Sequence, residues 1–283
     1  MSRLFSFRSG DRSEYLALFG LSRVAFVCPA ARQEDFGVAD LFCILTSKEG
    51  KNIYPENAFY VQVKSPRREV PLKRDAVNWI RSHMALPLLV CISDKKKNEL
   101  RFYSCSNLWF ALFLHQEPSE VVLDLHGPGS GDRFTVTEVD GGVKIRVLLG
   151  PPILRQSIAE IEEDPSTAFS VLKAWIVLDA ENIVRRDLGR IAIRGFQGWE
   201  TNRVPREYFQ GFNPRADCAP AEAALVEMLT GLGHNYLRAA DRTKFDAVRG
   251  LLTVLPDQIL NEDARKMVRG EYDLDQGSRA LNL

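Results

Sequence analysis

In the first half of the chain, apolar and polar residues alternate or cluster in short blocks, and the period of each block predicts an element. Ser9 to Ser22, carrying EYLALFGL, reads as a first helix with Asp11 or Ser13 as its cap. RVAFVCP, ended by Pro29, is a short strand, and LFCILTS is a second. KEGKNIYPEN, with Gly50, Pro55 and Asn57, reads as a loop leading to a third strand, AFYVQVKS, which Pro66 stops. After RREVP an amphipathic helix is predicted from about Leu72 to Met84, with Ala76, Val77, Ile80 and Met84 on one face. PLLVCIS is apolar almost throughout, as expected of a strand covered on both sides, and a DKKKNE turn leads from it into LRFYSCS. A strand, helix, strand passage in this order requires a crossover and a mixed sheet.

From Val121 the pattern becomes VVLDL, RFTVTEV and VKIRVLL, separated by HGPGSGD and a Gly-Gly pair, which reads as antiparallel hairpins. Beyond Ser157 the period is mostly helical. One long helix is expected around Pro165 to Leu188, a strand at RIAIRGF, and helices at 220–240, 242–254 and 257–269. The expected fold class is therefore α/β: a mixed β-sheet flanked by helices over residues 1–150, then a mostly helical accessory domain over 151–283.

Composition narrows the picture only a little. Hydrophobic residues make up 45% and charged residues 26%, the balance of a globular protein. No apolar run reaches the ~18 residues of a membrane helix, and MSRLFSFRSGDRSEY lacks a signal peptide's apolar core. A cytoplasmic protein with no membrane partner is expected. The five cysteines (Cys28, Cys43, Cys91, Cys105, Cys218) contain no C-x-x-C pair and read as reduced core thiols. His83, His115, His126 and His234 show no metal-ligand spacing. Net charge is zero, yet residues 1–118 hold 17 Lys and Arg against 12 Asp and Glu, so the excess of positive charge lies in the first half.

Candidate chemistry concentrates between Asp35 and Ser65. Side chains two apart on a strand share a face, so Gln62 and Lys64 project together while Val61 and Val63 point the other way. If the strands at LFCIL and FYVQVKS pair as a hairpin, Asp40 joins them. A Lys in so apolar a strand calls for an anionic partner. One reading is a structural Asp40–Lys64 pair beside an incidental Gln62. The other is a phosphodiesterase site, whose chemistry needs an activated water and a stabilised leaving oxygen, both of which oxygen-ligated Mg²⁺ (or Mn²⁺) supplies. Asp40 is then the main ligand, with the Gln62 side-chain oxygen and the Val63 carbonyl as neutral ones. Lys64 stabilises charge on the phosphoryl group, and Glu14 on the first helix supports the site.

The order of helix with Glu14, strand, strand opening on Asp40, strand ending in QVKS, helix and apolar strand resembles the PD-(D/E)XK nuclease superfamily, the restriction-endonuclease-like fold. More narrowly, EDFGVAD followed by FYVQVKS is similar to Mrr-like bacterial domains associated with defence against phage. The resemblance covers roughly residues 10–110. It implies Mg²⁺-dependent cleavage of DNA, with Asp40 as the first acid, Gln62 where Glu is usual, Lys64 as the motif lysine and Glu14 as the helix-one glutamate. EDFGVAD has one residue more between Gly37 and Asp40 than the D-x-G-x-D pattern, which makes Asp35 a rival or an accessory to Asp40. Gln62 removes one negative charge and leaves open an inactive nucleic-acid-binding or scaffolding version.

KSPRREVPLKR then offers Arg67, Arg68, Lys73 and Arg74 as salt-sensitive phosphate contacts, or else as a solvated helix start. The expected partner is nucleic acid, double-stranded DNA first. HGPGSGD matches neither a P-loop nor G-x-S-x-G and reads as a turn. Trp175, Trp199, Tyr208, Phe209 and Phe212 are expected in the core rather than on a base-stacking platform. QGWETNRVPREYFQGF, which gathers four of them with Arg, is the alternative candidate for a partner or DNA surface, and the C-terminal half is where a protein partner or a second copy is expected.

Overall fold

A computed structural model describes residues 2–30, 38–115, 118–125, 133–139, 142–185, 190–194, 201–203, 208–212 and 219–272. Side chains are described from Arg12 onward, and not at 193–194, 208–209, 211–212 or 220–221. The chain forms two compact units, Met1–Arg186 with Arg190–Asn213, and Asp187–Gly189 with Pro214–Leu283. The class is mixed α/β, with eight α-helices and twelve strands among the described residues. No helix among them is long and apolar enough to cross a membrane.

The first unit is built on a six-stranded sheet. Its strands are β1 (Ala25–Pro29), β2 (Leu41–Glu49), β3 (Asn52–Lys64), β5 (Leu88–Asp94), β6 (Glu99–Ser104) and β10 (Leu154–Ser157), in that spatial order. All neighbours are antiparallel except β3 and β5. Those two run parallel because the chain between them returns through β4 (Glu69–Lys73) and α2 (Arg74–His83), the crossover that the helical period predicts. α2 buries Ala76, Val77 and Ile80.

Two cores follow from the alternation of side chains. Leu41, Cys43, Phe59, Val61, Val63, Leu89 and Phe102 share one core with Ala17 and Leu21 of α1 (Ser2–Leu21) and with Leu172, Trp175 and Ile176 of α5 (Pro165–Arg185). Leu88, Val90, Ile92 and Tyr103 face the other way. Their core includes Ile80 of α2 and Leu108 and Leu112 of α3 (Ser106–Leu114). It also takes Val70, Val121, Leu123, Ile145 and Val147 of a second sheet. That sheet has the order β4, β7 (Pro118–Asp124), β9 (Gly142–Leu148), β8 (Phe134–Val139). β5 is buried along both faces, as its apolar run predicts.

Several expectations change. KEGKNIYPEN is a hairpin rather than a loop: β2 and β3 turn at Gly50, whose φ of 62° suits glycine, and Pro55 pairs opposite Thr46 beside a register irregularity. RREVP contributes β4, an edge strand, where Pro71 removes no ladder hydrogen bond that the sheet needs. Of the three strands expected after Val121, only β8 and β9 pair as a hairpin; β7 pairs with β9 in parallel, and HGPGSGD lies outside the described residues. Cys28 is exposed, not a core thiol, because it sits on the edge strand β1. Cys43, Cys91 and Cys105 are buried, and Cys218 lies outside the described residues.

The packing boundary also falls at Pro214, not at 150/151. β10 completes the central sheet through pairing with β6, and α4 (Ile158–Glu163) starts on a capping box of Ser157 and Glu160. α5 carries Trp175, fully buried beneath the sheet, and Asn182, whose amide bonds both backbone groups of Ala192 on β11 (Arg190–Arg194) at 2.7 Å. β11 pairs with β12 (Tyr208–Phe212). Asp179, also fully buried on α5, accepts hydrogen bonds from Ser104 Oγ, at the end of β6, at 3.1 Å and from Ser106 Oγ, at the start of α3, at 2.5 Å. A carboxylate there is favoured by the helix N-terminus.

The second unit consists of α6 (Ala219–Arg238), α7 (Arg242–Thr253) and α8 (Glu262–Arg269) around Val226, Leu229, Phe245, Val248, Leu252 and Met267. The expected helix over 257–269 divides: a short 3₁₀ turn precedes Asn261, which caps α8 through Ala264 N–H at 2.8 Å.

Two outcomes follow. A fragment ending at Asn213 unfolds cooperatively in urea, whereas one ending at Gly150 shows no cooperative transition, and Trp175→Ala costs about 3–5 kcal/mol. In native protein, iodoacetamide modifies Cys28, while Cys43, Cys91 and Cys105 react only after unfolding, since burial pushes all three thiols well above their ordinary pKa.

Candidate active site

The site begins where the β2–β3 ladder ends. Leu41 and Val61 are its last paired residues. Beyond them Asp40 N–H donates to the Val61 carbonyl at 2.9 Å, and Ala30 N–H donates to the Asp40 carbonyl at 3.0 Å, so the Asp40 backbone is held from both sides. β3 continues past the start of β2, which leaves the Val63 N–H in need of an acceptor. Asp40 Oδ2 provides it at 2.7 Å, and the same oxygen lies 3.4 Å from Lys64 Nζ. Neither group is sealed: the Asp40 side chain is 16% exposed and that of Lys64 22%.

Parity along the strands places the remaining groups. Gln62 pairs with Val90 and Lys64 with Ile92 on β5, so both project from the face that packs on α2 and α3, opposite Val61 and Val63. Gln62 is buried. The Phe42 and Tyr60 rings meet at a tilt of 58° with centroids 5.7 Å apart, and Tyr60 meets Trp79 of α2 edge-on at 6.3 Å, which fixes the helix beside this end of the sheet. On the other face, Ser13 of α1 lies 3.0 Å from Ser65 through their hydroxyls. Glu14 follows Ser13 and is partly buried, so the first helix does bear on the strand end that carries Lys64.

The same face carries two groups that the sequence reading overlooked. Arg101 pairs with Ile92, and Arg155 with Arg101, so Lys64, Ile92, Arg101 and Arg155 form one row across four strands. Arg101 is held by Glu99 at 3.4 Å and Asp94 at 3.9 Å, and Arg155 by Glu99 at 2.9 Å. Tyr103 stands beside them, its hydroxyl pKa raised chiefly by burial. The alternation in LRFYS contained this information, but only the pairing with β5 tells which face it joins.

The basic run does not form one cluster. Arg67 is exposed near the end of β3, and Arg68 lies 3.9 Å from the buried Asp124. Lys73 and Arg74 stand at the far end of β4, about 16 Å along the strand from Arg68 at 3.3 Å per residue. Arg146 bridges Glu69 at 2.7 Å and Asp124 at 2.9 Å, and these two bonds raise its pKa.

A cation here would be met by oxygen donors only: the Asp40 carboxylate, the Gln62 amide and the Val63 carbonyl. That chemistry suits a hard ion that keeps several waters and takes one or two carboxylates. Among the described residues no three His, Cys, Asp or Glu side chains gather in a way that could hold a metal, so Asp40 alone supplies charge. Asp35, Trp199 and His126 lie outside the described residues. Trp175 is core, as expected.

Comparison with known family models, with curated proteins and with solved structures found no match.

Removing the acceptor of Val63 N–H and the counter-charge of Lys64 together should be costly. Asp40→Ala is expected to lower unfolding free energy by about 1–3 kcal/mol. Asp40→Asn, which keeps an acceptor oxygen, is expected to lose less than about 1 kcal/mol. Urea denaturation of the two variants checks the order.

Proposed function

We propose that the first unit is a nuclease-like domain of the restriction-endonuclease-like arrangement, hydrolysing phosphodiester bonds of DNA with Mg²⁺ (or Mn²⁺), in the setting of defence against phage. The observation that carries this reading is the partly exposed Asp40–Lys64 pair at the rim of the central sheet, with Gln62 on the same face. In support, the order is helix, three antiparallel strands, crossover helix and a strand parallel to the third.

Asp40, Gln62 and the Val63 carbonyl would hold the ion, which supplies acidity to a bound water and polarisation of the phosphoryl oxygens. The chain's own residues do the rest. Lys64 presents a cation where negative charge develops on the phosphoryl group, and Asp40 fixes its position. The Val63 N–H in turn holds the Asp40 carboxylate in place. Arg67, exposed just past the strand, offers a phosphate contact independent of sequence.

A second reading has its own support. Asp40 Oδ2 is already engaged by two donors, and Gln62 brings no charge, which favours a nuclease-like module that binds nucleic acid without cutting it.

Supercoiled plasmid incubated with the full chain and Mg²⁺ or Mn²⁺ separates the two. Nicking or linearisation that falls by about 10²-fold or more in both Asp40→Ala and Lys64→Ala is the expected result. Salt-sensitive binding without cleavage, equal in wild type and both variants, supports the binding module instead.

A further inference from the structure

The second unit leaves much of its apolar surface uncovered. Among the described residues eight buried side chains make up its core, while five further large apolar side chains stand exposed on its helices. Leu225, Met228 and Leu232 belong to α6 and Leu251 and Val254 to α7, and they are between 37% and 77% exposed. A core this small gives limited stability, and units of this size are commonly completed by association.

The five are gathered on one side. α8 packs where Gly233 approaches Met267, and His234 Nε2 lies 3.0 Å from the hydroxyl of Tyr272, just beyond α8. From α7, Arg249 donates to the Val268 carbonyl at 3.3 Å, again towards α8. α6 and α7 meet through Tyr236, whose ring centroid lies 5.5 Å from Lys244 Nζ. At 3.6 residues per turn, Leu225, Met228 and Leu232 share the side of α6 that lies past its contact with α7 and away from α8. Leu251 and Val254, with the exposed Ala247, occupy the corresponding side of α7. The outer surface of the hairpin is thus one apolar face, two helices wide. Glu227, Asp246 and Arg249 project from other sides of their helices, so no charge interrupts it over 225–235 or 247–254. Lys244, at the closed end of the hairpin, is paired with Asp241 at 3.0 Å.

We propose that this face binds the same face of a second copy, so that α6 and α7 of two chains form an antiparallel four-helix bundle. The width decides the occupant. A single helix laid in the groove between α6 and α7 leaves the outer flanks of both uncovered. A two-helix hairpin covers them, and this chain carries one of matching width with a charge-free surface. Either two-fold arrangement that sets the faces together leaves each helix antiparallel to its neighbours, the favourable order of helix dipoles. The face measures roughly 20 Å across and roughly 18 Å along the twelve residues of α7. Two such faces bury on the order of 1,000 Å², near the lower limit for a specific interface, so the dimer is reversible and forms in the micromolar range. The inference concerns the second unit alone and is independent of the nuclease reading.

Sedimentation velocity of the full chain between about 1 and 200 µM, under reducing conditions, tests it. The variants are Met228→Glu, Leu251→Glu and, as a control at an exposed apolar position of the first unit, Val184→Glu. Wild type and Val184→Glu pass from monomer to dimer across this range. Met228→Glu and Leu251→Glu each weaken the dimer by about tenfold or more, since each buries a carboxylate without a partner. At about 1 µM their melting temperatures stay within about 2 °C of wild type, because both positions are exposed in the single chain. Leu251→Glu decides the matter if Met228→Glu fails to fold. A monomer throughout the range, which leaves the face to a helix of another protein or to a lipid surface, overturns the proposal. So does a dimer that neither variant weakens, or one that Val184→Glu weakens as much.

Discussion

One hydrogen bond organises the end of the central sheet: the Val63 N–H donated to Asp40 Oδ2. β3 outruns β2 by several residues, and a strand that loses its neighbour must find other acceptors for its amides. A carboxylate in that role solves the local problem and creates another, because a partly buried negative charge asks for a cation. Lys64, one residue further on and on the face where Asp40 arrives, supplies it. The polar character of this rim therefore follows from a mismatch in strand length. The remaining site geometry is inherited from the sheet: Gln62, Arg101 and Arg155 are placed by parity and register.

What keeps the rim rigid lies elsewhere. The parallel pairing of β3 with β5 forces the intervening chain across the sheet, and that crossover delivers α2, whose Trp79 packs against Tyr60 beside the site. On the opposite face α5 lays Trp175 in the core that holds Val61 and Val63 of β3. The buried Asp179 on α5 ties Ser104 at the end of β6 and Ser106 at the start of α3, linking the helical layers on either side of the sheet. Burial of two cores against one sheet thus fixes the position of a few polar atoms at its edge.

Much of this was legible because it is local. Period-two alternation is enough to put Gln62 and Lys64 together and Val61 and Val63 apart, and a hairpin brings Asp40 to them. The helix at α2 is read from its apolar stripe. What escaped is either non-local or disguised. β4 contains Pro71 and resembles a linker until its edge position is known. The parallel pairing of β7 with β9, and the recruitment of β10 and α5 to the first unit, involve partners distant in sequence that no local period encodes. Cys28 sits in an apolar run yet is exposed, because an edge strand has no neighbour to cover it. The row from Lys64 to Arg155 needs three strand registers to be seen at all. The basic run from Arg67 to Arg74 illustrates the converse: residues adjacent in sequence are carried to opposite ends of β4.

The central claim is that the Asp40–Lys64 rim accepts a divalent cation beside a phosphate. The most direct measurement is a crystal of the full chain soaked in Mn²⁺ with anomalous diffraction. The account predicts a peak in oxygen-coordination distance of Asp40 and Gln62, absent in Asp40→Ala crystals soaked alike. Unchanged Asp40–Val63 and Asp40–Lys64 contacts with no peak at a saturating soak would contradict it, leaving the pair a structural fastening of the sheet end.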